Sequence, residues 1–410
     1  MTHALNLLAA AIDGLIAVPA MIVSLEIAAA LPAARRQPPA GEVTRPPVAV
    51  LVPAHDEHDT IAQSVSLLSG QLRDGDRLLV VADNCTDDTA ALARRAGAEV
   101  IERHNLIQRG KGFALDFGVA HLAADPREIL VIVDADVKPA PGAIDRLAAQ
   151  AATTNRPTQG VYLLRQAAGA PQNPVSMLAF SVRNFVRPLG LSRLGGPCPL
   201  FGAGMAFPWD IIRRAPLASP HLTEDVALAL DLAAAGHTPK LCPDALIEGD
   251  SAPSIAASAK QRRRWEHGHL SLILTAAPRT LLRGLLHGRF SAVVLALDVM
   301  VPPLSLLLML TVASAAITWA AVAFGSVAFG VAAFQSAILA TLLTAIVSAS
   351  VRFNPSGHRS RQLFDMARYA AGKLPIYAGF FFKRQKTWER TDRAAVPPTP
   401  MPPRRPRKAA

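Results

Sequence analysis

Long apolar runs bracket this chain, and between them short apolar runs alternate with segments of helical period. Residues 5–31 are almost wholly apolar, and a second apolar block covers 291–351. About 20 apolar residues cross the roughly 30 Å of bilayer hydrocarbon. The first run therefore predicts one span within residues 1–34. The second predicts two spans, with a turn near Phe324-Gly325-Ser326 and a kink at Pro302-Pro303. Asp13 and Glu26 are expected near the ends of the first span or against a partner helix. A cleaved signal peptide competes for this run, but it wants a basic region ahead of the apolar stretch, and here Arg35-Arg36 follow it. Residues 271–290 read as an interfacial segment. Residues 352–393 read as an interfacial or re-entrant helix with a basic stretch, because Asp365, Arg368 and Lys373 interrupt the aromatics of 364–382. The Pro- and Arg-rich tail, 394–410, is expected to be disordered.

The polar middle, 45–270, carries a different rhythm. Residues 48–52 (Val-Ala-Val-Leu-Val) form a strand ended by Pro53, and Asp59 is placed to cap a helix with Ile61, Val65 and Leu68 on one face. Strands at 78–82 and 99–101, helices at 89–95 and 112–122, and a strand at 129–132 follow. Such alternation predicts a parallel sheet with right-handed crossovers. No GxGxxG follows the first strand, which disfavours a dinucleotide fold. Polar residues gather instead at strand ends, where open α/β sheets bind ligands. Asp134-Ala135-Asp136 follows the run 129–132 directly. Hard oxygen ligands of this kind hold Mg²⁺ or Mn²⁺ beside phosphates, and a polar turn is the plainer alternative. Asp83 is placed to accept hydrogen bonds from a base or ribose, whereas Asp87 and Asp88 suit the next helix as caps.

Composition narrows the class. The formal net charge is +11, which raises nucleic acid as a partner, but aromatics make up only 5 % and do not interleave with the basic residues. Arg35, Arg36, Arg283, Arg289, Arg352, Arg359 and Arg361 flank the apolar segments, as cytoplasmic ends of spans do. A lipid bilayer accounts for the charge better, with no nucleic acid, and places 45–270 in the cytoplasm. The 3 cysteines, Cys85, Cys198 and Cys242, are scattered and form no CxxC, so a reducing compartment and no zinc site are expected.

Pro53-Ala54-His55-Asp56-Glu57, the stretch Ala82-Asp83-Asn84-Cys85-Thr86-Asp87-Asp88-Thr89, and Asp134-Ala135-Asp136 resemble the successive motifs of the family 2 glycosyltransferases. Arg109-Gly110-Lys111-Gly112 resembles that family's basic loop, and Gly202-Ala203-Gly204-Met205 its acceptor-side glycine turn. Thr223-Glu224-Asp225 and Gln261-Arg262-Arg263-Arg264-Trp265 resemble the late motifs of membrane-embedded polysaccharide synthases. The segment Lys383-Arg384-Gln385-Lys386-Thr387-Trp388-Glu389-Arg390-Thr391 resembles the ending of bacterial exopolysaccharide-type members. The ordered set, spread over 48–270, is what makes the resemblance specific. It implies an α/β, GT-A nucleotide-diphospho-sugar transferase domain flanked by transmembrane helices.

The resemblance also implies roles. Asp134 and Asp136 would hold Mg²⁺ or Mn²⁺, and Pro53, His55, Glu57, Asp83, Lys111 and Asp134 would bind a UDP-sugar donor. Gly202, Gly204, Gln261 and Trp265 would meet a carbohydrate or lipid-linked acceptor. Asp225, with Glu224 beside it, would act as base in an inverting transfer, and Arg264 would face the leaving diphosphate, whose charge a planar fork suits. Plainer readings stand next to these. Thr223 could cap a helix with Glu224 and Asp225 as first-turn acids, Lys111 could simply begin one, and Trp265 could be a core aromatic. Arg262 and Arg263 could form a membrane-surface face, and His267 with His269 a weak metal pair. The few spans predict a partner subunit or homo-oligomer if a chain is exported, and leave single transfer to a lipid-linked acceptor open. The expected setting is the inner (cytoplasmic) membrane. The rival classes are a membrane scaffold or transport component with a degenerate nucleotide fold, and a nucleotide-sugar pyrophosphorylase. The latter is disfavoured because Pro53-Ala54-His55-Asp56-Glu57 stands where a glycine- and arginine-rich loop belongs.

Overall fold

A computed structural model describes residues 2–33, 44–166, 173–353 and 362–385. Arg35, Arg36, Arg359, Arg361, the segment 386–391 and the tail 394–410 lie outside the described residues.

Helix α1 (Thr2–Ala30) precedes the sheet domain. Strands β1 (Val48–Ala54), β2 (Arg77–Asp83), β3 (Glu99–Arg103) and β4 (Ile129–Ile132) alternate with helices α2 (Ile61–Ser69), α3 (Thr89–Arg95) and α4 (Lys111–Leu122). Then come β5 (Val137–Pro139), α5 (Ala143–Thr154) and β6 (Thr158–Arg165). Helix α6 (Pro174–Ser181) runs through a π-helical turn (Val182–Val186) into α7 (Arg187–Arg193). β7 (Met205–Pro208), α8 (Trp209–Ile212), α9 (Glu224–Ala234) and β8 (Lys240–Asp250) complete the sheet domain.

The eight strands lie in the order β3-β2-β1-β4-β7-β6-β8-β5. The expected parallel pairing holds for β3-β2-β1-β4, while β7 runs antiparallel to both β4 and β6, and β5 antiparallel to β8, so the sheet is mixed. Alternate residues serve opposite faces. Ala49, Leu51, Leu79, Val81, Leu130 and Ile132 enter the core formed with α4 and α9, and Val48, Val50, Val52, Val80 and Val131 the core formed with α2 and α5. Burial on both sides is why these strands are unbroken apolar runs. Pro53 does not end β1. It stays in register with Val81, beyond the last β1–β4 pair at Leu51, so its missing N–H costs the ladder nothing on that side. The α2 N-cap is Thr60 rather than Asp59. Strand order reverses between β1 and β4, which makes their carboxyl ends the topological switch point.

Beyond the sheet, α10 (Ile255–Leu274), α11 (Ala276–Leu286) and α12 (Phe290–Met300) lead to α13 (Leu304–Ala323), α14 (Phe329–Phe353), α15 (Gln362–Ala371) and α16 (Leu374–Phe382). Among the described residues, three helices are long and apolar enough to cross a membrane: His3–Ala30, Leu304–Ala323 and Phe329–Phe353. The second apolar block therefore divides differently from expectation. Residues 290–300 form their own helix, whose Ala292, Leu295, Ala296 and Val299 enter the sheet-domain core. Pro302-Pro303 separates this helix from the span rather than kinking it, since neither proline could donate into a continuous helix. α15 and α16 hold 10 and 9 residues, too few to span.

Both acids in α1 face partners. Asp13 accepts from Ser314 Oγ at 2.5 Å. Glu26 meets Arg187 at 2.6 Å, and the same guanidinium pairs with Asp298, so α1, α7 and α12 share one buried charge triad. Gly190 permits the close crossing. A Cβ there would stand 1.7 Å from the Glu26 carbonyl oxygen.

Candidate active site

The apolar run of β4 ends at the switch point, and the loop leaving it presents Asp134 and Asp136. Lys111, first residue of α4, is ion-paired with Asp134, donates to the Gly202 carbonyl at 2.7 Å, and lies 4.0 Å from Glu224 Oε1. Gly202 turns with φ +88°, and a Cβ on it would stand 3.2 Å from Asp225 Oδ2 and 3.3 Å from Lys111 Nζ. A side chain at that position would be strained and would push against both charged groups. Gly204 turns with φ +67°, where a Cβ would lie 2.3 Å from Ile247. Asp134, Lys111, Gly202, Glu224 and Asp225 thus meet at one place, drawn from α4, the β4 loop, the loop before β7 and the start of α9.

The electrostatics follow from crowding carboxylates in a buried site. Burial, with Asp225 alongside, pushes the Glu224 carboxyl up to about 7 against the pull of Lys111. Burial also raises Asp134, opposed by Lys111 and reinforced by Asp136. Asp225 is raised by burial, with Lys111, the Val226 N–H and Arg183 acting the other way. Burial works against the Lys111 ammonium, yet Asp134 and Glu224 outweigh it and hold its pKa above the ordinary lysine value. Glu224 and Asp225 do form the first turn of α9, as the capping alternative expects, but Thr223 makes no side-chain cap.

On the β1–β2 side, His55 Nδ1 donates to the Asp83 carbonyl at 2.7 Å. The Asp83 carboxylate is held by Arg103 at 2.7 Å and by Asn84 Nδ2 at 3.0 Å. Arg103, twenty residues on, had no signal in the sequence, because only the β2–β3 pairing brings it beside Asp83. Glu57 is used at the entry to α2: its N–H donates to Thr89 Oγ1 at 2.7 Å and its carboxylate accepts from Thr60 Oγ1 at 3.0 Å. Asp87 accepts from the Thr89 N–H at 2.9 Å, a capping role; burial works to raise its carboxyl, but the hydrogen bonds from Thr89 and His58 outweigh it and leave it below the usual carboxylate range. Asp56, Cys85 and Asp87 present ligand atoms within 4.8 Å of one another. Their lone pairs are already engaged: Asp56 accepts from the Thr86 N–H at 2.7 Å, and Cys85 Sγ accepts from the Asp56 N–H at 3.4 Å. Burial pushes the Cys85 thiol up to about 11, so it is a poor thiolate donor at neutral pH. These three clasp two loops together.

Gln261 and Trp265, one turn apart on α10, line a cavity of about 830 Å³ that also takes in Phe180, Arg183 and Tyr369. The Trp265 and Phe180 ring centres are 5.7 Å apart. Arg264 is on α10 between them, half-buried, and is not among the lining residues. His267 and His269 are structural: His267 Nε2 bonds the Ile376 carbonyl at 2.8 Å and His269 Nε2 the Val299 carbonyl at 2.9 Å. Burial keeps His269 neutral by lowering it to about 3.

A family model described as glycosyltransferase-like family 2 matches residues 46–268. Glucosyl-3-phosphoglycerate synthase of Mycolicibacterium paratuberculosis is 40 % identical over 97 residues, which is 22 % of this chain and 28 % of that protein. The chain thus spans under a third of that relative. The mannosyltransferase PcManGT from Pyrobaculum calidifontis, solved with GDP-Man and Mn²⁺, superimposes with a TM-score of 0.53 at 19 % identity. That match covers 88 % of this chain and 99 % of the other. Glucosyl-3-phosphoglycerate synthase from Mycobacterium tuberculosis, solved with Mn²⁺, UDP and phosphoglyceric acid, covers 58 % of this chain and 84 % of its own at a TM-score of 0.40 and 21 % identity.

Proposed function

This chain belongs to glycosyltransferase-like family 2, and from that premise we propose an inverting, divalent-metal-dependent enzyme that moves a sugar from a UDP-sugar to a polysaccharide or lipid-linked acceptor. The observation that carries the reading is the meeting of Asp134, Lys111, Glu224 and Asp225 at Gly202. Asp134 and Asp136 would hold Mg²⁺ or Mn²⁺, which neutralises charge gathering on the departing diphosphate. Lys111 and Arg264 would add positive charge on the phosphate side, with Pro53, His55, Glu57 and Asp83 lining the nucleotide end. Asp225 takes the proton of the acceptor hydroxyl as its oxygen bonds to the anomeric carbon. The bond from that carbon to the diphosphate breaks, and its electron pair leaves on UDP. A raised carboxyl pKa makes Asp225 a better base near neutrality than an ordinary aspartate. Gly202, Gly204, Gln261 and Trp265 would position the acceptor.

The three long apolar helices would anchor the domain, 45–270, at the cytoplasmic face of the inner membrane. Arg352 closes α14 beside Phe353, which packs on Phe185 of the sheet domain, so the basic end of that span stands on the domain's side. α11 buries Ala277, Thr280 and Gly284 and exposes Leu282, Leu285 and Leu286, the pattern of a helix lying on the bilayer surface.

The test is UDP release from a panel of UDP-sugars by the full chain in membranes, with and without Mn²⁺ or Mg²⁺. One donor is expected to release UDP only with metal, and Asp225→Asn should abolish transfer while keeping UDP affinity. Normal turnover by Asp225→Asn would overturn the assignment of the base.

A further inference from the structure

Gly268 stands inside α10, away from either end, where glycine weakens a helix and no turn asks for it. Its reason lies across the interface with α9. A Cβ on Gly268 would stand 2.7 Å from Thr223 Cγ2, 3.0 Å from Thr223 Oγ1 and 3.2 Å from Leu222 Cβ. A branched side chain is stiff about χ1, and a rotation that withdraws the Thr223 methyl brings its hydroxyl toward the same place. Leu222 Cβ moves only with its backbone. Thr223 is itself buried, makes no side-chain cap, and its Oγ1 has no hydrogen-bond partner among the described residues. Its side chain therefore serves by filling the notch that Gly268 leaves.

Neither side of this contact is free to retreat. On α10, Glu266 is held by Lys373 at 2.5 Å and by Tyr377 at 3.2 Å. His267 Nε2 donates to the Ile376 carbonyl while its Nδ1 accepts from the Gln385 N–H at 3.1 Å. His269 Nε2 donates to the Val299 carbonyl. The helix is thus tied to α12 and α16 on both sides of Gly268. The chain leading into α9 is held in turn by α4, where a Cβ on Gly112 would stand 2.5 Å from the Leu217 carbonyl oxygen and 2.9 Å from that of Ser219. Glu224 and Asp225 follow Thr223 directly, and Asp225 Oδ2 lies against Gly202. A push at Thr223 passes into the acids.

We infer that Gly268 is a positioning residue: by letting α10 close onto Thr223 it fixes where α9 begins, and so where Asp225 stands. The inference rests on the reading of Asp225 as the base of a sugar transfer. The same helix carries Gln261 and Trp265, so one element sets the proposed acceptor side and the base together. Misplacing a reacting group by about 1 Å can cost on the order of 100-fold in rate. The loss should fall on kcat and not on donor binding, because His55 and Asp83 at the nucleotide end belong to β1 and β2 and bond each other.

The test is steady-state turnover by the full chain in membranes, with the UDP-sugar that the parent uses, for Gly268→Ala, Thr223→Ser and the two combined. Gly268→Ala is expected to lower kcat at least about ten-fold with donor KM within about two-fold, the split that follows when only the transition state loses an interaction. Thr223→Ser keeps the hydroxyl and drops the methyl, which loosens the contact and should lower kcat about three-fold. In the double variant the new methyl takes the space the old one left, so kcat should recover to within about three-fold of the parent, a volume-conserving exchange. UDP affinity, titrated with Mn²⁺, should hold in all three. Parental kcat in Gly268→Ala, or a double variant no better than Gly268→Ala, would overturn the inference. If Gly268→Ala loses UDP affinity in step with kcat, the added methyl has disturbed the whole domain. Thr223→Ser, which adds no atom, then decides, and parental kcat there overturns the inference. A parent that releases UDP from no donor removes the transferase reading, and this inference with it, whereas an active parent with indifferent variants removes this inference alone.

Discussion

Glu224 is pulled in two directions, by burial and Asp225 toward the protonated form and by Lys111 toward the charged one, and the first pair wins, at about 7. Its ordinary value is 4.5, so across that interval the folded chain keeps a proton that the unfolded chain gives up. The stability tied to this proton is fully present below about 4.5 and is lost as pH climbs toward and through 7. Thermal unfolding of the metal-free chain in detergent should show the midpoint falling over that window, with a shallower slope in Glu224→Gln; equal slopes would remove Glu224 from the account. At this scale the acids of the site were legible, because Asp134, Asp136, Glu224 and Asp225 stand where an apolar run stops or a helix begins. Arg103 and Arg183 were not. Each acquires its meaning from a neighbour twenty or more residues away, Asp83 for one and Asp225 for the other, and no local pattern encodes that distance.

Among the elements, β4 and α3 lie within the predicted bounds, because a strand buried on both faces and a helix flanked by turn residues leave distinct marks. The mixed half of the sheet was not foreseen, since β6, β7 and β8 are joined through helices and loops whose lengths do not state strand direction. α12 read as membrane because it is apolar nearly all round, and composition alone does not separate a helix buried in protein from one buried in lipid. The crossing of α1 on α7 was equally silent, resting on one glycine. Gly190→Ala would set a methyl 1.7 Å from the Glu26 carbonyl oxygen, forcing the helices apart. Overpacking typically costs about 1–3 kcal/mol, and backbone yields less readily than a side chain. Gly14→Ala on α1, where a Cβ meets nothing within 4 Å, is the matched control and should hold or raise stability. The unfolding midpoint in detergent separates the two, and a Gly190→Ala chain as stable as Gly14→Ala would show that the crossing tolerates a methyl.

For the molecule as a whole, the question is what makes a membrane anchor and a catalytic sheet one body. α1, α13, α14 and the turn 182–186 share an apolar core in which Ile27, Val186, Leu307 and Leu342 meet. At its edge Arg187 joins Glu26 of α1 to Asp298 of α12. The side chains of this triad are 12 %, 3 % and 9 % exposed, in the order Arg187, Glu26, Asp298, so water does little to screen them. Such a triad need not add much net stability, because desolvating three charges consumes most of the attraction. Removing one member is another matter. Arg187→Met leaves two buried carboxylates without their shared counter-ion, and losses of about 3–5 kcal/mol are the usual result. Replacing all three together, Glu26→Gln with Arg187→Met and Asp298→Asn, removes the stranded charges and should recover most of that loss. The comparison of single and triple variants by unfolding in detergent therefore reads the role directly. If the single variant is as stable as the parent, the triad is incidental to the docking of α1. If the triple variant is no better than the single, Arg187 acts through its packing and not through its charge.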